Sequence, residues 1–303
     1  MNIKKVVQWA KNNKTVIPAF NIPYIPMVKP VIQAIVEVDT IGMVQVARLE
    51  WEKFQSGSLE KVAEEYAKYV KEGFTYLHLD HVPVIDEDDH WVDFLPIIER
   101  AIKAGYQSVM VDGSRLLFED NIKATKEVTD LAHLSNVSVE AELGCVTGHE
   151  IGGLRLSYEE LFNTKKGFTD IHEAKIFVEE TKCDWLGVAV GSIHGAIAKE
   201  TRRGKKPTAI LDIEHIMALG KATNYIPLVL HGGSGINQKC ILEGIKKGIA
   251  KINVGTEIRQ AYEFALDEKP GDIEYARQRV YERTVWLLND FFRVSGNFSR
   301  LHS

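Results

Sequence analysis

The segment that decides the fold spans residues 227–257 and reads PLVLHGGSGINQKCILEGIKKGIAKINVGTE. An apolar run at Pro227–Leu230 precedes a glycine-rich turn, a helical pattern at Gln238–Lys247 and a second apolar run at Ala250–Val254. Short apolar runs that flank an amphipathic stretch are typical of a βαβ unit, in which one helix connects two parallel strands. The segment therefore predicts two parallel strands and a crossover helix.

The same alternation extends outward over most of the chain, with apolar runs about 25 to 40 residues apart. Several runs are continuously apolar, which is typical of parallel strands that are covered on both faces. The predicted strands are Val16–Phe20, Met43–Val46, Tyr76–Leu79, Ser108–Val111, Val137–Leu143, Trp185–Val190, Pro227–Leu230 and Ala250–Val254. The predicted helices between them are Met27–Val38, Leu59–Glu72, Phe94–Ala104, Asp120–Leu134, Asp170–Thr181, Ile213–Thr223 and Gln238–Lys247.

This order of elements predicts an α/β protein built on a (β/α)8 TIM barrel, a fold that needs roughly 250 residues. The rival architecture is an open doubly wound sheet, which would need a glycine-rich turn after its first strand. The chain has Asn21-Ile22-Pro23 there, so the barrel is favoured. We expect one domain over residues 1–303, with a C-terminal helical extension at about residues 262–303. The helical pattern at Ile273–Phe292 should pack outside the barrel or against a partner subunit.

Composition and charge exclude several classes of protein. The net charge of −5 gives no basic excess of the kind that nucleic-acid binding requires. No apolar run approaches the roughly 18 residues that would span a bilayer, and Met1–Lys5 does not resemble the start of a signal peptide. Only three cysteines occur, Cys145, Cys183 and Cys240, and they are widely spaced, which gives neither a disulfide framework nor a CxxC pair. We therefore expect a cytoplasmic protein that binds neither nucleic acid nor a membrane.

Histidines follow three of the predicted strands. His81, His194 and His231 come after strands 3, 6 and 7, at the ends where barrels carry their active sites. A lone histidine after a strand is more often a loop or packing residue. Three of them, flanked by carboxylates and glycines, instead predict a metal site with an open coordination position. Zinc fits three imidazoles best, although cobalt or iron would bind similar ligands.

Glycines and hydroxyl groups follow strands 7 and 8, the usual place for a phosphate site in a barrel. The first loop begins with Gly232-Gly233-Ser234, and the second contains Asn253 and Thr256. Glycines let backbone N–H groups approach an anion, and the hydroxyls add further donors. The alternative is a pair of ordinary glycine turns.

Several segments, taken in order, resemble the class II ketose-bisphosphate aldolases, in particular the fructose/tagatose-bisphosphate branch. These segments are PAFN (18–21), LHLDH (77–81), MVDGS (110–114), VEAELG (139–144), VGSIHG (190–195), LHGGSG (230–235) and KINVGTE (251–257). The resemblance implies a lyase that cleaves a ketose (bis)phosphate reversibly to dihydroxyacetone phosphate and an aldehyde such as glyceraldehyde 3-phosphate. It also implies a homodimer or homotetramer.

The resemblance further implies a role for each matching residue. His81, His194 and His231 would hold a catalytic Zn²⁺, with Asp112 and Glu142 near the metal. Asp80 would be the acid/base at the C4 hydroxyl, and Glu150 would exchange a proton at C3. The residues implied for the C1 phosphate are Gly195, Gly232, Ser234, Asn253 and Thr256. Asn21, Gly233 and Gly255 complete the predicted substrate site. Arg259 would meet a distal phosphate, and glycine carbonyls would hold a monovalent cation, Na⁺ or K⁺.

The chemistry of aldol cleavage explains why such residues would be needed. A base must take the C4 hydroxyl proton, and the electron pair that is left must be stabilised, here by a metal. Asp80 directly precedes His81, so base and metal would lie a few ångströms apart. A carboxylate beside a dication stays ionised, as a base must. Asp80 could instead only orient a histidine, and Glu150 could be an ordinary solvated loop residue.

The chain departs from the family pattern in several places, among them the segment after strand 2 and Gly255. After strand 2 the family usually carries a small polar stretch, often Ser-x-Gly, where this chain has Ala47-Arg48-Leu49-Glu50-Trp51. Gly255 stands where fructose-bisphosphate enzymes tend to have Asp and tagatose-type enzymes a small residue. The metal and C1-phosphate half of the site is therefore intact, whereas the half that would contact the far end of the sugar is altered.

Rival functions fit parts of the same pattern. A metal-dependent phosphosugar isomerase or epimerase would use a similar site, with Glu142 and Asp112 supplying a second base. An aldolase-derived phosphosugar-binding protein would explain the altered strand-2 loop, although the retained Asp80 argues against it. A Schiff-base aldolase is disfavoured, because no predicted strand ends in lysine and Lys251 is placed at the start of strand 8.

Overall fold

The computed structural model describes residues 1–144, 158–192, 209–233 and 235–303. Within these residues, parallel strands close into an eight-stranded barrel in chain order, with the last strand paired to the first. The strands are β1 (Ile17–Asn21), β2 (Gly42–Ala47), β3 (Thr75–Pro83), β4 (Ser108–Asp112), β5 (Ser138–Leu143), β6 (Trp185–Val188), β7 (Leu228–Leu230) and β8 (Ile249–Val254). The predicted (β/α)8 barrel is thus confirmed.

Helices surround this barrel and connect its strands. Those up to β5 are α1 (Ile3–Asn12), α2 (Val28–Glu37), α3 (Arg48–Lys53), α4 (Leu59–Tyr69), α5 (Phe94–Lys103) and α6 (Phe118–His133). Those after β5 are α7 (Tyr158–Thr164), α8 (Ile171–Thr181), α9 (Ile213–Ala222), α10 (Gln238–Lys246), α11 (Thr256–Glu268), α12 (Ile273–Trp286) and α13 (Asn297–His302). A 3-10 turn at Ile25–Met27 precedes α2, and a π-helical turn at Leu287–Phe291 follows α12. None of the described helices is long and apolar enough to cross a membrane.

Helix α1, which the sequence pattern did not predict, closes the N-terminal end of the barrel. Its apolar face packs against strand residues near this end of the barrel, including Met43, Trp185 and Val229. The Asn2 side chain caps the helix by accepting a hydrogen bond from the backbone N–H of Lys4. Because this end is sealed by apolar packing, the polar chemistry of the barrel is confined to the opposite mouth.

Helix α12 lies outside the barrel, packed against α2 and α11. For the helical pattern at Ile273–Phe292, the sequence analysis expected packing either outside the barrel or against a partner subunit. The structure agrees with the first of these positions. Residue 262, where the sequence places the beginning of the extension, lies inside α11.

Strand β6 ends at Val188, two residues earlier than predicted. Beyond it, the backbone bonds to loop residues instead of to β7. The N–H of Ala189 donates to the Thr169 hydroxyl, and the carbonyl of Val190 accepts from the N–H of Asp212. The apolar run Trp185–Val190 therefore includes two residues that are buried but lie beyond the end of the strand. A hydrophobic pattern cannot distinguish such residues from paired strand residues.

Candidate metal and substrate site

A β-bulge in β3 turns two neighbouring side chains into the mouth. The pairing of β3 with β4 shifts register between Leu79 and Val82, and His81 has φ of +22°. In a regular strand, Asp80 and His81 would point to opposite faces. Here the Asp80 carboxylate contacts side chains of β1, β2 and β8, while the His81 ring contacts those of β4 and β5. The bulge thus brings the predicted base and a predicted ligand together.

The His81 and His231 rings lie close enough to share a metal ion. Their centroids are 4.6 Å apart, and Asp80, His81 and His231 each offer a ligand atom within 4.8 Å of the others. A second such group consists of His81, Asp112 and Glu142. Two of the three predicted histidine ligands therefore meet at one place. His194 lies outside the described residues, as do Glu150, Gly195 and Ser234.

The Glu142 carboxylate supports a cation at this place. Both of its oxygens are buried and accept no hydrogen bond from the described residues. Its nearest charged neighbours are the Nδ1 atoms of His231 at 3.3 Å and of His81 at 3.6 Å. A buried carboxylate is normally well hydrogen-bonded or bound to a cation. Imidazoles together with carboxylates are also a donor set that Zn²⁺ accepts.

Carboxylates raise the pKa of both imidazoles. Burial by itself would lower the pKa of His81, but Asp80 and the contact with Asp112 raise it well above its ordinary value. The pKa of His231 is likewise raised to about 9 by Glu142 and Glu140, against the effect of burial. The mouth therefore has a surplus of negative charge that attracts cations, and a bound metal would displace these protons.

Below the mouth lies a buried layer of charged side chains that the sequence analysis missed. His78, Glu140 and Lys251 are fully buried in the barrel interior. Lys251 Nζ lies 2.9 Å from Glu140 Oε2, and the other carboxylate oxygen lies 2.8 Å from His231 Nε2. Lys251 is the third residue of β8, inside the barrel and not at the start of the strand.

A sequence signal for this layer does exist. His78, Glu140 and Lys251 each precede a predicted site residue by two positions, namely Asp80, Glu142 and Asn253. Because side chains on a strand alternate between its two faces, residues two apart share a face. The period of two could therefore have placed all three inside the barrel beneath the mouth.

The charges in this layer compensate one another. Burial would raise the pKa of Glu140, but the Lys251 ammonium and His231 hold it far below its ordinary value. Burial, together with Lys251, lowers the pKa of His78 to about 3, so this ring is neutral at physiological pH. Its Nδ1 lies 2.8 Å from the Ser108 hydroxyl. Glu140 therefore stays ionised and orients the His231 ring from below.

Strand β6 makes room for the His231 ring. A Cβ atom on Gly187 would lie 3.1 Å from His231 Cε1 and 3.3 Å from Nε2, tighter than almost all real contacts. A larger residue here would push the imidazole away from its contacts with Glu140 and Glu142 by a few tenths of an ångström.

Asp80 is held by amide groups on both sides. Its Oδ2 accepts hydrogen bonds from Asn21 Nδ2 at 2.8 Å and from Gln45 Nε2 at 3.1 Å. Its Oδ1 accepts from Asn253 Nδ2 at 2.9 Å, and Lys251 donates to the Asn253 oxygen. Although burial opposes it, His81 and Lys251 lower the pKa of Asp80. The carboxylate is therefore ionised and fixed in orientation, as a general base must be.

The predicted phosphate loops lie side by side at the mouth. The backbone N–H of Gly233 donates to the carbonyl of Asn253, at 3.3 Å. A Cβ on Gly233 would lie 2.6 Å from Ile252 Cγ2, so the close approach of the two loops requires glycine. Thr256 is the first residue of α11, and Gly255 precedes it. The N-terminus of this helix is suited to an anion, because the first backbone N–H groups of a helix have no partner within the helix.

The predicted distal residue Arg259 lies in α11. It is nearly buried, and its Nη1 atom lies 2.8 Å from Glu263 Oε2. The guanidinium also lies over the Phe54 ring, 5.6 Å from its centroid. The charge of Arg259 is thus balanced within the protein.

A parallel barrel with imidazoles, buried carboxylates and glycine loops around its C-terminal mouth defines a metal-dependent barrel enzyme. Residues 1–293 match the family model described as fructose-bisphosphate aldolase class-II. The chain belongs to this family and is a metal-dependent aldolase, a lyase. The prediction drawn from the sequence motifs is therefore confirmed, and the isomerase and non-catalytic alternatives are disfavoured.

Related proteins cover nearly the whole chain. A fructose-bisphosphate aldolase of Streptococcus pneumoniae serotype 4 is 32% identical over 297 residues, which is 95% of this chain and 91% of the relative. One of Streptococcus pyogenes serotype M1 is 32% identical over 306 residues, covering 98% and 94%. Among solved structures, the YdjI aldolase of Escherichia coli K12 superposes with a TM-score of 0.77 and 29% identity, covering 97% of this chain and 98% of that one.

Proposed function

We propose that the protein cleaves a ketose phosphate or bisphosphate reversibly to dihydroxyacetone phosphate and an aldehyde, with Zn²⁺ as its metal. The observation that carries this proposal is the β3 bulge, which turns Asp80 and His81 into one mouth beside His231. The two streptococcal relatives named above are fructose-bisphosphate aldolases, which supports a bisphosphate of this kind. Glyceraldehyde 3-phosphate is then the aldehyde product to test first.

His81, His194 and His231 would hold the zinc ion, with Asp112 and Glu142 beside it. When bound there, zinc supplies the positive charge that stabilises the electron pair released by C–C cleavage. The pairing of Glu142 with both described imidazoles supports this arrangement. Glu140, which contacts His231 from below, keeps that ring directed at the ion.

Asp80 would take the proton of the C4 hydroxyl as the C3–C4 bond breaks. The C4 oxygen becomes the aldehyde oxygen, and the electron pair of the broken bond moves to the C2–C3 fragment. Glu150 would then return a proton to C3, which completes dihydroxyacetone phosphate. In the reverse direction, Asp80 gives its proton to the new hydroxyl. Its three amide donors hold the carboxylate in place for both directions.

The loops after β6, β7 and β8 would hold the C1 phosphate. The residues proposed are Gly195, Gly232, Gly233, Ser234, Asn253, Gly255 and Thr256. The adjacency of the two later loops and the N-terminus of α11 support this placement. Arg259 is the candidate for a distal phosphate, and Asn21 orients Asp80 at the substrate.

Further parts of the proposal rest on the resemblance. Glycine carbonyls of these loops would hold Na⁺ or K⁺, and the chain would assemble as a homodimer or homotetramer in the cytoplasm. Assays in K⁺-free and Na⁺-free buffers test the cation, and light scattering of the purified protein tests the assembly.

Metal removal tests the central claim. The protein is stripped with a chelator and assayed for triose phosphate release from fructose 1,6-bisphosphate and tagatose 1,6-bisphosphate, before and after Zn²⁺ is restored. Activity should disappear and return with about one zinc per chain. Asp80→Asn should bind zinc with unchanged stoichiometry and lose activity about 100-fold or more. Turnover that survives complete removal of zinc would contradict the proposal.

A further inference from the structure

Helix α3 places one buried carboxyl group at the mouth of the barrel. The helix begins directly after β2, at the end of the strand where the mouth lies. Glu50 is buried, whereas Glu52 and Lys53 on the same helix have well exposed side chains. Glu50 belongs to the strand-2 segment in which this chain departs from the Ser-x-Gly pattern. A charged residue that is buried here needs an explanation that the metal and phosphate sites do not provide.

Two contacts anchor the Glu50 carboxyl. Its Oε2 accepts a hydrogen bond from the backbone N–H of Ala47 at 2.8 Å and lies 3.5 Å from Asn21 Nδ2. Asn21 in turn donates to Asp80, so a single amide group separates the two carboxyls. Both contacts are made by Oε2, and they hold the group in position.

The order of groups around the mouth shows which part of the substrate comes near Glu50. The phosphate loops follow β7 and β8, and the side of Asp80 that faces them is Oδ1, bound to Asn253. The opposite oxygen, Oδ2, faces β1 and β2 through Asn21 and Gln45. A ketose anchored by its C1 phosphate, with its C4 hydroxyl at Asp80, therefore continues beyond C4 toward β1 and β2. The next polar group on that path of the sugar is the hydroxyl on C5.

A carboxyl group is well matched to a hydroxyl in either of its protonation states. An ionised carboxylate accepts a hydrogen bond from a hydroxyl, and a protonated one donates to it. A phosphate dianion offers only acceptors. Burial raises the pKa of Glu50 to about 8, opposed by the Ala47 N–H and reinforced by Asp80. Both forms are then accessible near neutral pH, and a hydroxyl can pair with each.

We propose that Glu50 is a specificity-determining residue that binds the C5 hydroxyl of the ketose, which is the hydroxyl beside the carbonyl carbon of the aldehyde. This rests on the proposed aldolase function. In the condensation direction, the C3–C4 bond forms on the carbonyl carbon of the aldehyde, and Glu50 holds the neighbouring hydroxyl. Aldehydes that lack this hydroxyl lose the hydrogen bond to the Glu50 carboxyl, and they react more slowly.

The test compares aldehydes that differ only in this hydroxyl. The zinc-loaded enzyme is assayed for condensation with dihydroxyacetone phosphate, using glyceraldehyde 3-phosphate against 3-oxopropyl phosphate, and glycolaldehyde against acetaldehyde. The decisive quantity is the ratio of kcat/KM within the pair that the enzyme uses faster. We expect the hydroxyl-bearing aldehyde to be favoured by about 10- to 100-fold.

Substitutions then assign this preference to Glu50. Glu50→Leu should reduce the ratio to about twofold or less, and Glu50→Gln should keep part of it, because an amide still pairs with a hydroxyl. Glu52→Gln is the matched control on the same helix and should leave the ratio unchanged. Because each ratio is measured within one variant, a loss of active protein cancels out.

The outcomes separate the two proposals. Equal kcat/KM for the two aldehydes with the unaltered enzyme overturns the role of Glu50, and so does a ratio that survives in Glu50→Leu. If Glu50→Leu is inactive, a ratio in Glu50→Gln that is unchanged from that of the unaltered enzyme also overturns it. No condensation with any aldehyde by the unaltered, zinc-loaded enzyme contradicts the aldolase function itself.

Discussion

Replacing Lys251 by Met would test the buried charged layer beneath the metal site. The ammonium lies 2.9 Å from Glu140 and 2.6 Å from Asn253, and both Lys251 and Glu140 are fully buried. At this separation and an effective dielectric constant of about 20, the attraction is about 6 kcal/mol. Breaking one side of a buried pair typically costs about 3–5 kcal/mol in unfolding free energy. His231 remains beside Glu140 and offsets part of the loss, so we expect about 3 kcal/mol.

The same substitution should lower activity through Asp80. Lys251 fixes the Asn253 amide with its NH₂ group toward Asp80, so a methionine would free the amide to turn. We expect kcat to fall about tenfold or more, because small displacements of a catalytic base are costly. KM should change less than kcat, because the substitution leaves the glycines of the phosphate loops and the N-terminus of α11 in place.

Urea unfolding followed by fluorescence measures the stability of the Lys251→Met variant, and steady-state cleavage assays measure kcat and KM. Lys246→Met, an exposed position at the end of α10, is the control and should stay within about 0.5 kcal/mol of the unaltered protein. An unfolding free energy that is unchanged within about 1 kcal/mol would refute the reasoning, because the ion pair of Lys251 and Glu140 would then contribute nothing to stability.

Three further predictions follow from the surroundings of single side chains. Gly113→Ala should cost about 1–3 kcal/mol in urea unfolding, because its Cβ would lie 2.2 Å from the buried Asn121 Oδ1; an unchanged midpoint would contradict this. In the metal-free protein, Glu50→Gln should gain stability relative to the unaltered protein as pH rises from about 5 to 8. The pKa of Glu50 is raised to about 8 on folding, so the folded state keeps a proton that the unfolded state loses, and stability declines across this window; parallel pH profiles would argue against it. Burial raises the pKa of the Cys183 thiol to about 12, so a maleimide should label the half-buried Cys240 at least about tenfold faster, as judged by peptide mapping.

Local sequence patterns were sufficient for the barrel and for part of its site. Apolar runs separated by amphipathic stretches predict parallel strands, and the C-terminal ends of such strands converge on one mouth. For that reason Asp80, His81 and His231 could be placed together from the sequence, although His231 lies far from the other two in the chain. The loops after β7 and β8 could be placed beside each other on the same grounds.

Other features depend on contacts between distant segments. The charged layer of His78, Glu140 and Lys251 looks in the sequence like separate polar residues in apolar strands. Only the closed barrel shows that the charges of Glu140 and Lys251 compensate each other and that the neutral His78 ring lies beside them. The position of Glu50 is of the same kind, since helix α3 is too short to be recognised from its periodicity.

The sequence by itself determined which residues follow each strand, because the apolar run that predicts a strand is a local pattern of the chain. The tertiary structure decided in which direction those residues point. Asp80 and His81 face the same mouth only because β3 bulges where it pairs with β4, and neither strand alone specifies that shift in register. Strand pairing is a long-range property, and the geometry of the site depends on it.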